Sequence, residues 1–224
     1  HYTYCEFHLM KKLVFFLFLT IPFIALSQNL NQDLGLWTKV NLNYKINKKL
    51  NFTNKTELRT VDNSRQISQY YTQFSIKKKF DKVFYSSIAW RIKVLNQENA
   101  NILVNRFHND LVLKKKISNL SMYARLRTQV NFHPIKTNEI IERTRLKLKY
   151  KINKKISYFI YNELYFLINQ ETKYNYNKNR FGSGLEYSLN KKIGFEIKYL
   201  KINDLNTENP SSLNVLGFKA VYQL

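Results

Sequence analysis

Residues 120–132 read LSMYARLRTQVNF, and residues 143–152 read RTRLKLKYKI. In the first stretch, apolar side chains and one threonine occupy every second position, while mostly polar or charged side chains occupy the positions between them. The second stretch alternates in the same way, with Arg and Lys on one side. A helix would distribute these cations around its circumference, whereas a strand collects them on one face. The pattern therefore predicts two neighbouring β-strands.

The same alternation continues along most of the chain from Asp33 onward. Nine further segments show it, namely 34–46, 50–60, 70–80, 83–94, 103–113, 156–166, 181–189, 193–202 and 215–224. Soluble sheets use strands of roughly five or six residues, whereas a tilted strand that crosses a bilayer needs about 9–11. The eleven segments are therefore long enough for a membrane barrel.

Short polar turns recur between alternate pairs of these segments. Their centres fall near residues 48, 81, 118, 154 and 191, a spacing of about 36 residues. The other connections are longer and more polar, at 61–68, 96–101, 133–138, 170–180 and 203–212. Tight turns at one end and long loops at the other are typical of transmembrane barrels. We therefore predict an all-β protein, a single antiparallel up-and-down transmembrane β-barrel of about 10–12 strands.

The strand count conflicts with the simplest barrel topology. An antiparallel barrel with both termini on the periplasmic side has an even number of strands, but eleven segments are found. Either residues 28–36 return through or beneath the barrel, or one strand has been merged or wrongly assigned.

The N-terminal region has the pattern of an export signal. Residues 10–28 read MKKLVFFLFLTIPFIALSQ, with a basic start, an apolar run of about 14 residues and a small-x-small cleavage site at 25–27. We predict a signal peptide at 10–27, a barrel at 28–224 and outer-membrane localisation. Residues 1–9 precede Met10 and lack signal character, so we interpret them as a spurious extension.

The chain carries a formal net charge of +22, which in a soluble domain would suggest an anionic partner. Lys, Asn and Ile are abundant throughout, as an AT-rich genome would produce, so part of the charge is attributed to codon bias. The basic residues are spread over nearly every strand, which argues against a nucleic-acid partner. Cys5 is the only cysteine, which excludes an intramolecular disulfide.

If the apolar faces meet lipid, the opposite faces line the lumen and are strongly basic. The predicted basic lining consists of Arg91, Arg106, Arg125, Arg127, Arg143, Arg145, Lys147 and Lys149. Such a lining would favour anions in an open pore. The alternative is that a barrel of this size is filled by its own side chains, with Arg and Glu paired across the interior, and this alternative is favoured.

Aromatic residues near strand ends are predicted to form interfacial girdles, although the core of a soluble sandwich would also bury them. The last strand, LNVLGFKAVYQL, places Phe218, Tyr222 and Leu224 on one face. It resembles the C-terminal assembly signal of outer-membrane proteins, which usually end in Phe. We predict this role for the three residues.

The signal peptide, the opening DLGLWTKVNLNYKINKKLNFTNKTELR at 33–59 and the hairpin rhythm resemble a family of uncharacterised Gram-negative outer-membrane β-barrel proteins, known only as a domain of unknown function. The resemblance runs from about Gln32 to Leu224. It implies a fold and a location, and it implies no catalytic residues.

The predicted function is therefore a structural barrel or a passive pore for small solutes, with outer-membrane lipid and the barrel-assembly machinery as partners. Two alternatives stay open, an outer-membrane hydrolase and a soluble basic β-sandwich that binds an anionic partner. His108 and Asp110 share an inward face, but no nucleophile motif or metal-ligand cluster accompanies them. We predict no enzymatic activity, no cofactor and no metal.

Overall fold

The computed structural model describes residues 32–97, 100–168, 176–206 and 210–224. The predicted signal peptide and the extension at 1–9 lie outside these residues. The described chain forms eleven strands, β1 (Gln32–Lys45), β2 (Leu50–Val61), β3 (Gln66–Lys79), β4 (Phe84–Gln97), β5 (Ala100–Ile117), β6 (Leu120–Phe132), β7 (Glu139–Lys151), β8 (Ile156–Leu167), β9 (Tyr176–Ser188), β10 (Ile193–Asp204) and β11 (Ser211–Gln223). Within these ranges, no helix is long and apolar enough to span a membrane.

The eleven strands form one closed barrel in which each strand pairs with its neighbours in the sequence. Ten of the pairings are antiparallel, and the barrel is closed by a parallel pairing of β1 with β11. The register of this seam runs from Gln32 opposite Ser212 to Asn43 opposite Gln223. The predicted fold class and the predicted range of strand numbers are confirmed.

The parallel seam accounts for the odd number of strands. Because β1 and β11 run in the same direction, both begin at the end of the barrel that carries the longer connections. Residues 32–36 belong to β1 itself, so they pair within the wall, and no strand was merged or wrongly assigned.

Four of the five tight turns share one side-chain device. In each turn an Asn or Asp side-chain oxygen accepts hydrogen bonds of 2.6–2.8 Å from the backbone N–H groups two and three residues further on. The residues are Asn47, Asp81, Asn153 and Asn190. Short Asx side chains stabilise turns in this way, which explains the repeated polar motif of the sequence.

Asp81 is the only one of these four turn residues that titrates. The backbone N–H groups of Phe84 and Val83 stabilise its carboxylate and hold the pKa of Asp81 below its usual value. A lowered folded pKa adds stability that is complete above about pH 4 and is lost as the pH falls further. We therefore expect wild type to lose more stability than Asp81→Asn between pH 7 and pH 3, measured by urea unfolding. If the difference in the free energy of unfolding between wild type and Asp81→Asn stayed constant with pH, this expectation would be wrong.

Four of the five longer connections are shorter than predicted, because the strands continue into polar sequence, whereas the connection at 133–138 has the predicted bounds. The described strands leave only 62–65 between β2 and β3, 98–99 between β4 and β5, and 205–210 between β10 and β11. Residues 176–180, which were assigned to a loop, belong to β9. Ladder hydrogen bonds join backbone groups and do not require apolar side chains, so pairing extends beyond the apolar segments.

The outer surface of the barrel is apolar. Among the described residues, thirty-seven large hydrophobic side chains are exposed there and around the rims, including the strand-end aromatics Tyr44, Phe132, Tyr150 and Tyr187. Phe52, Phe74, Trp90, Phe107 and Phe132 form a row across β2 to β6 with ring centroids 5.9–6.3 Å apart. Soluble monomers rarely expose a contiguous apolar surface of this extent.

Several polar side chains on the outer surface bind one another. Asn54 donates to Thr72 at 3.2 Å, and Ser86 donates to the Asn109 side chain at 3.1 Å. The Trp90 indole donates to Asn105 at 3.1 Å. Transfer of a polar group from water to an apolar environment costs free energy unless the group is hydrogen-bonded. These pairs therefore lower the free-energy cost of placing the outer surface in an apolar environment.

Inside the barrel, an apolar cluster lies beside the parallel seam. Trp37, Leu200, Ile202 and Val215 are buried there, with Tyr161 and Leu213 packed against them. Gly182 lies beneath Tyr161, and a Cβ atom at this position would come within 2.5 Å of the ring. Because Gly182 has no Cβ atom, there is space for the Tyr161 ring at this position.

Candidate functional site: the basic lumen

The predicted basic lining residues lie on the inward-facing register of β4 to β7. Arg91, Arg125, Arg127 and Arg143 are buried, and Arg106 and Arg145 are half-buried. Lys147 and Lys149 follow Arg145 toward the tight-turn end, where both pair with Glu186 of β9. The strand alternation thus brings all eight side chains to the interior.

The centre of the lumen holds a network of ion pairs. Arg127 donates to Asp110 at 2.5 and 2.7 Å. Glu163 accepts from Arg125, and from Arg143 at 2.9 Å. Arg145 and Arg180 also stand directly opposite Glu163 in the two adjacent strands. One carboxylate is therefore surrounded by four guanidinium groups.

Two further carboxylates each bind two cations on the other side of the lumen. Glu57 pairs with Lys39 and Arg59 and accepts a hydrogen bond of 2.7 Å from the Tyr71 hydroxyl. Glu196 pairs with Lys219 and Lys198. Ion pairs between strands therefore occupy part of the interior, while the filling of the whole lumen stays a prediction.

A cavity of about 550 Å³ on the barrel exterior is apolar, whereas the lumen contains a polar chamber of about 430 Å³. The chamber lies toward the end with the longer connections, since its lining includes Glu139 at the start of β7 and Leu167 at the end of β8. Thirteen Lys and Arg side chains line it, against two acidic ones, Glu139 and Glu163. The chamber is therefore strongly cationic.

Several of these cations form no direct ion pair with a carboxylate within the part of the chain that the structure describes. They are Lys55, Arg91, Lys93, Arg106, Arg145 and Arg180. Arg91 donates to the amide oxygen of Gln73 at 3.0 and 2.7 Å, and Arg106 donates to that of Asn131 at 2.6 Å. Neutral acceptors leave the positive charge in place, so an anion in the chamber would meet uncompensated cations.

Aromatic rings hold several of the guanidinium groups. Arg59 lies 3.6 Å from the ring centre of Trp37, and Arg91 lies 3.7 Å from that of Tyr71. Arg143 lies 4.2 Å from the ring centre of Tyr165. Cation–π contacts of this kind favour Arg and restrict its rotamers. These three aromatics were not predicted from the sequence as lumen residues, although their inward position in the alternation would have indicated them.

The two residues of the enzyme alternative lie in this interior. His108 and Asp110 are buried neighbours on β5, and the carboxylate of Asp110 is bound by Arg127. Within the described ranges, no group of three or more His, Cys, Asp or Glu side chains is placed to hold a metal ion. The absence of enzymatic activity stays a prediction.

The three residues of the predicted C-terminal signal lie on the outer side of β11. Phe218 and Tyr222 face outward and are partly exposed, and Leu224 follows the strand. The backbone N–H of Leu224 donates to the Asn43 carbonyl at 2.8 Å, beside the parallel seam. Their role in assembly stays a prediction.

The fold and the lumen define a single closed β-barrel with an apolar outer surface and a cationic interior. The profile of the family "Protein of unknown function (DUF2490)" matches residues 34–212, and the chain belongs to this family. A search of curated proteins finds no significant match. Among solved structures, the barrel is similar to the translocator domain of the autotransporter NalP from Neisseria meningitidis, with a TM-score of 0.40 and 11% identity over 71% of this chain and 70% of that one.

Proposed function

We propose that this protein is an outer-membrane β-barrel with a narrow, basic lumen that admits small anions and excludes larger solutes. The observation that carries the proposal is the inverted polarity of the barrel, which is apolar outside and charged inside. A soluble protein has the opposite arrangement, because its apolar side chains avoid water.

Membrane insertion is supported by three properties of the wall. The barrel formed by the described residues is closed and has no free strand edge, its outer surface is rich in exposed apolar side chains, and several outward polar groups bind one another. A bilayer requires that every backbone polar group be satisfied internally, and a closed barrel meets this requirement. By analogy with bacterial barrels, the tight turns face the periplasm and the longer connections face outward.

Selectivity is supported by the charge of the lumen and by its filling. Cations outnumber acids in the chamber, and the ion pairs of Glu57, Glu163 and Glu196 occupy further space inside the barrel. Rings of Arg and Lys favour anions in other pores.

Cell fractionation tests the location. We expect the mature protein in the outer-membrane fraction, as a band whose mobility on a denaturing gel changes after heating because the folded barrel resists the detergent. Recovery of the protein in the soluble periplasm would overturn the proposal.

Planar bilayers test the lumen. We expect small conductance steps and, under a potassium chloride gradient, a reversal potential that indicates preference for chloride. Silent bilayers after verified insertion, or a preference for potassium, would refute anion passage without affecting the location.

A further inference from the structure

The chamber contains a pair of guanidinium groups that the barrel itself does not neutralise. We propose that Arg91, Arg106 and Lys93 form a binding site for a phosphate group, either inorganic phosphate or a small phosphate monoester. The inference rests on the proposed function, because it names the class of anion that the basic lumen accepts.

The register of the sheet places two arginines directly opposite each other three times. The facing pairs are Arg91 with Arg106, Arg127 with Arg143, and Arg125 with Arg145. Like charges in directly opposed positions of a sheet repel and are destabilising. A protein that keeps such pairs requires counter-charges close to them.

Two of these pairs have their counter-charges within the protein. Asp110 binds Arg127 of the second pair, while Glu163 binds Arg143 of the second pair and Arg125 of the third. In the described part of the barrel, the pair of Arg91 and Arg106 has no such carboxylate, and its hydrogen-bond acceptors are the neutral amide oxygens of Gln73 and Asn131. At this pair, a bound anion would supply the counter-charge that carboxylates supply to the other two pairs.

The pair also retains donors that can reach an anion. Gln73 accepts from Nε and Nη2 of Arg91, which leaves Nη1 available. Asn131 accepts from Nε of Arg106, which leaves both terminal nitrogens of that guanidinium available. Arginine forks of this kind match the oxygens of phosphate, and each bond to an ionised acceptor is strong.

The donors are held in position before any ligand arrives. Arg91 is fixed between the Gln73 amide and the face of the Tyr71 ring, and Tyr71 is itself anchored by its hydrogen bond to Glu57. Arg91 is 6% exposed and Lys93, two residues further along the same face, is 8% exposed. Preorganised and desolvated donors bind an anion more strongly than flexible surface side chains do.

The size and charge of the chamber favour phosphate over a monovalent anion. Its volume of about 430 Å³ exceeds a phosphate group and leaves space for the alcohol part of a small ester. A phosphate monoester carries a charge of about −1.5 to −2 at pH 7, with three acceptor oxygens for the three neighbouring cations. Chloride offers a single charge and no directed acceptors.

Calorimetry on the barrel folded in detergent tests the site directly. We expect inorganic phosphate and glycerol 3-phosphate to bind wild type with one site and a dissociation constant below about 1 mM, and succinate to bind at least about tenfold more weakly. Binding of glycerol 3-phosphate alone would assign the site to esters, and stronger binding of inorganic phosphate would assign it to the free ion. Wild type that binds neither at roughly 10 mM, or binds succinate equally well, overturns the proposal.

A pair of matched double variants separates the site from general charge. Arg91→Gln with Arg106→Gln should weaken phosphate binding more than about tenfold, since strong charge-assisted bonds are lost. Lys154→Gln with Lys155→Gln removes the same charge from an exposed tight turn and should bind like wild type. If both double variants lost the same affinity for phosphate, the binding would depend on the overall positive charge of the protein and not on a specific site. If the arginine variant fails to fold, the wild-type titrations still decide.

The two proposals can fail separately. Anion conductance without saturable phosphate binding would support the proposed pore and refute the proposed phosphate site. Saturable phosphate binding in a barrel that never conducts would support the phosphate site and refute the passage of anions through the lumen.

Discussion

Glu163→Gln is expected to lower the free energy of unfolding by about 3–5 kcal/mol, because it leaves buried guanidinium groups without their counter-charge. The side chain of Glu163 is 3% exposed and binds Arg125 and Arg143, with two more arginines directly opposite. Glutamine preserves the volume of the side chain, so the loss reports the charge rather than a cavity. Urea unfolding of the barrel in lipid vesicles measures it.

Glu186→Gln is the matched control for this variant. Glu186 also binds two cations, Lys147 and Lys149, but its side chain is 23% exposed near the tight-turn end. Partly solvated ion pairs contribute little, so the expected loss is at most about 1 kcal/mol. Equal losses for the two variants would show that burial does not set the strength of the lumen network.

Trp37→Ala is expected to cost about 3–5 kcal/mol, the usual range for the loss of a large buried aromatic side chain. Trp37 is 7% exposed, packs with Leu200 and Val215 beside the seam, and carries the guanidinium of Arg59 on its face. The substitution would therefore open a cavity in the only apolar cluster that the described interior contains. It would also weaken the β1–β11 closure, since both strands contribute to that cluster.

The second tryptophan of the chain provides the control. Trp90 faces outward, is 40% exposed and stacks on Phe107, so in a bilayer its loss removes ring contacts without creating a buried cavity. We expect Trp90→Ala to cost about 1 kcal/mol. Because the chain has two Trp residues, each variant keeps one fluorophore, and its emission follows unfolding in urea. A larger loss for Trp90→Ala than for Trp37→Ala would contradict the assigned core.

The strands and their faces could be predicted because each depends on local sequence. Alternation along 120–132 determines which side chains of β6 point inward, whatever strand lies beside it. The tight turns were equally visible, since Asn and Asp at 47, 81, 153 and 190 stabilise them through local hydrogen bonds. The inward position of the arginines follows from the same periodicity.

The seam could not be predicted, because it depends on partners at opposite ends of the chain. Ladder hydrogen bonds come from backbone groups that every residue carries, so neither β1 nor β11 contains a local sign of parallel pairing. The ends of several strands were missed for a related reason. Asn177, Lys178 and Asn179 extend β9 with polar side chains, and no apolar alternation marks them.

The charge pairing was also beyond local sequence. Glu163 binds Arg125 from β6, although β7 lies between their strands. Such a contact depends on barrel curvature and side-chain length rather than on spacing in the chain. The cationic lumen could therefore be predicted from the sequence. Which of its arginine pairs have a carboxylate partner could be seen only in the three-dimensional structure.

The parallel seam also has a consequence for the timing of assembly. Every other strand pair can form as a local hairpin, but β1 must wait for the last strand of the sequence before its second edge is covered. Joining such distant segments carries a large loop-closure entropy and slows folding. Until then, β1 and β11 present open edges that other chains could pair with, so the interval before closure is the period in which this protein is most exposed to misassembly.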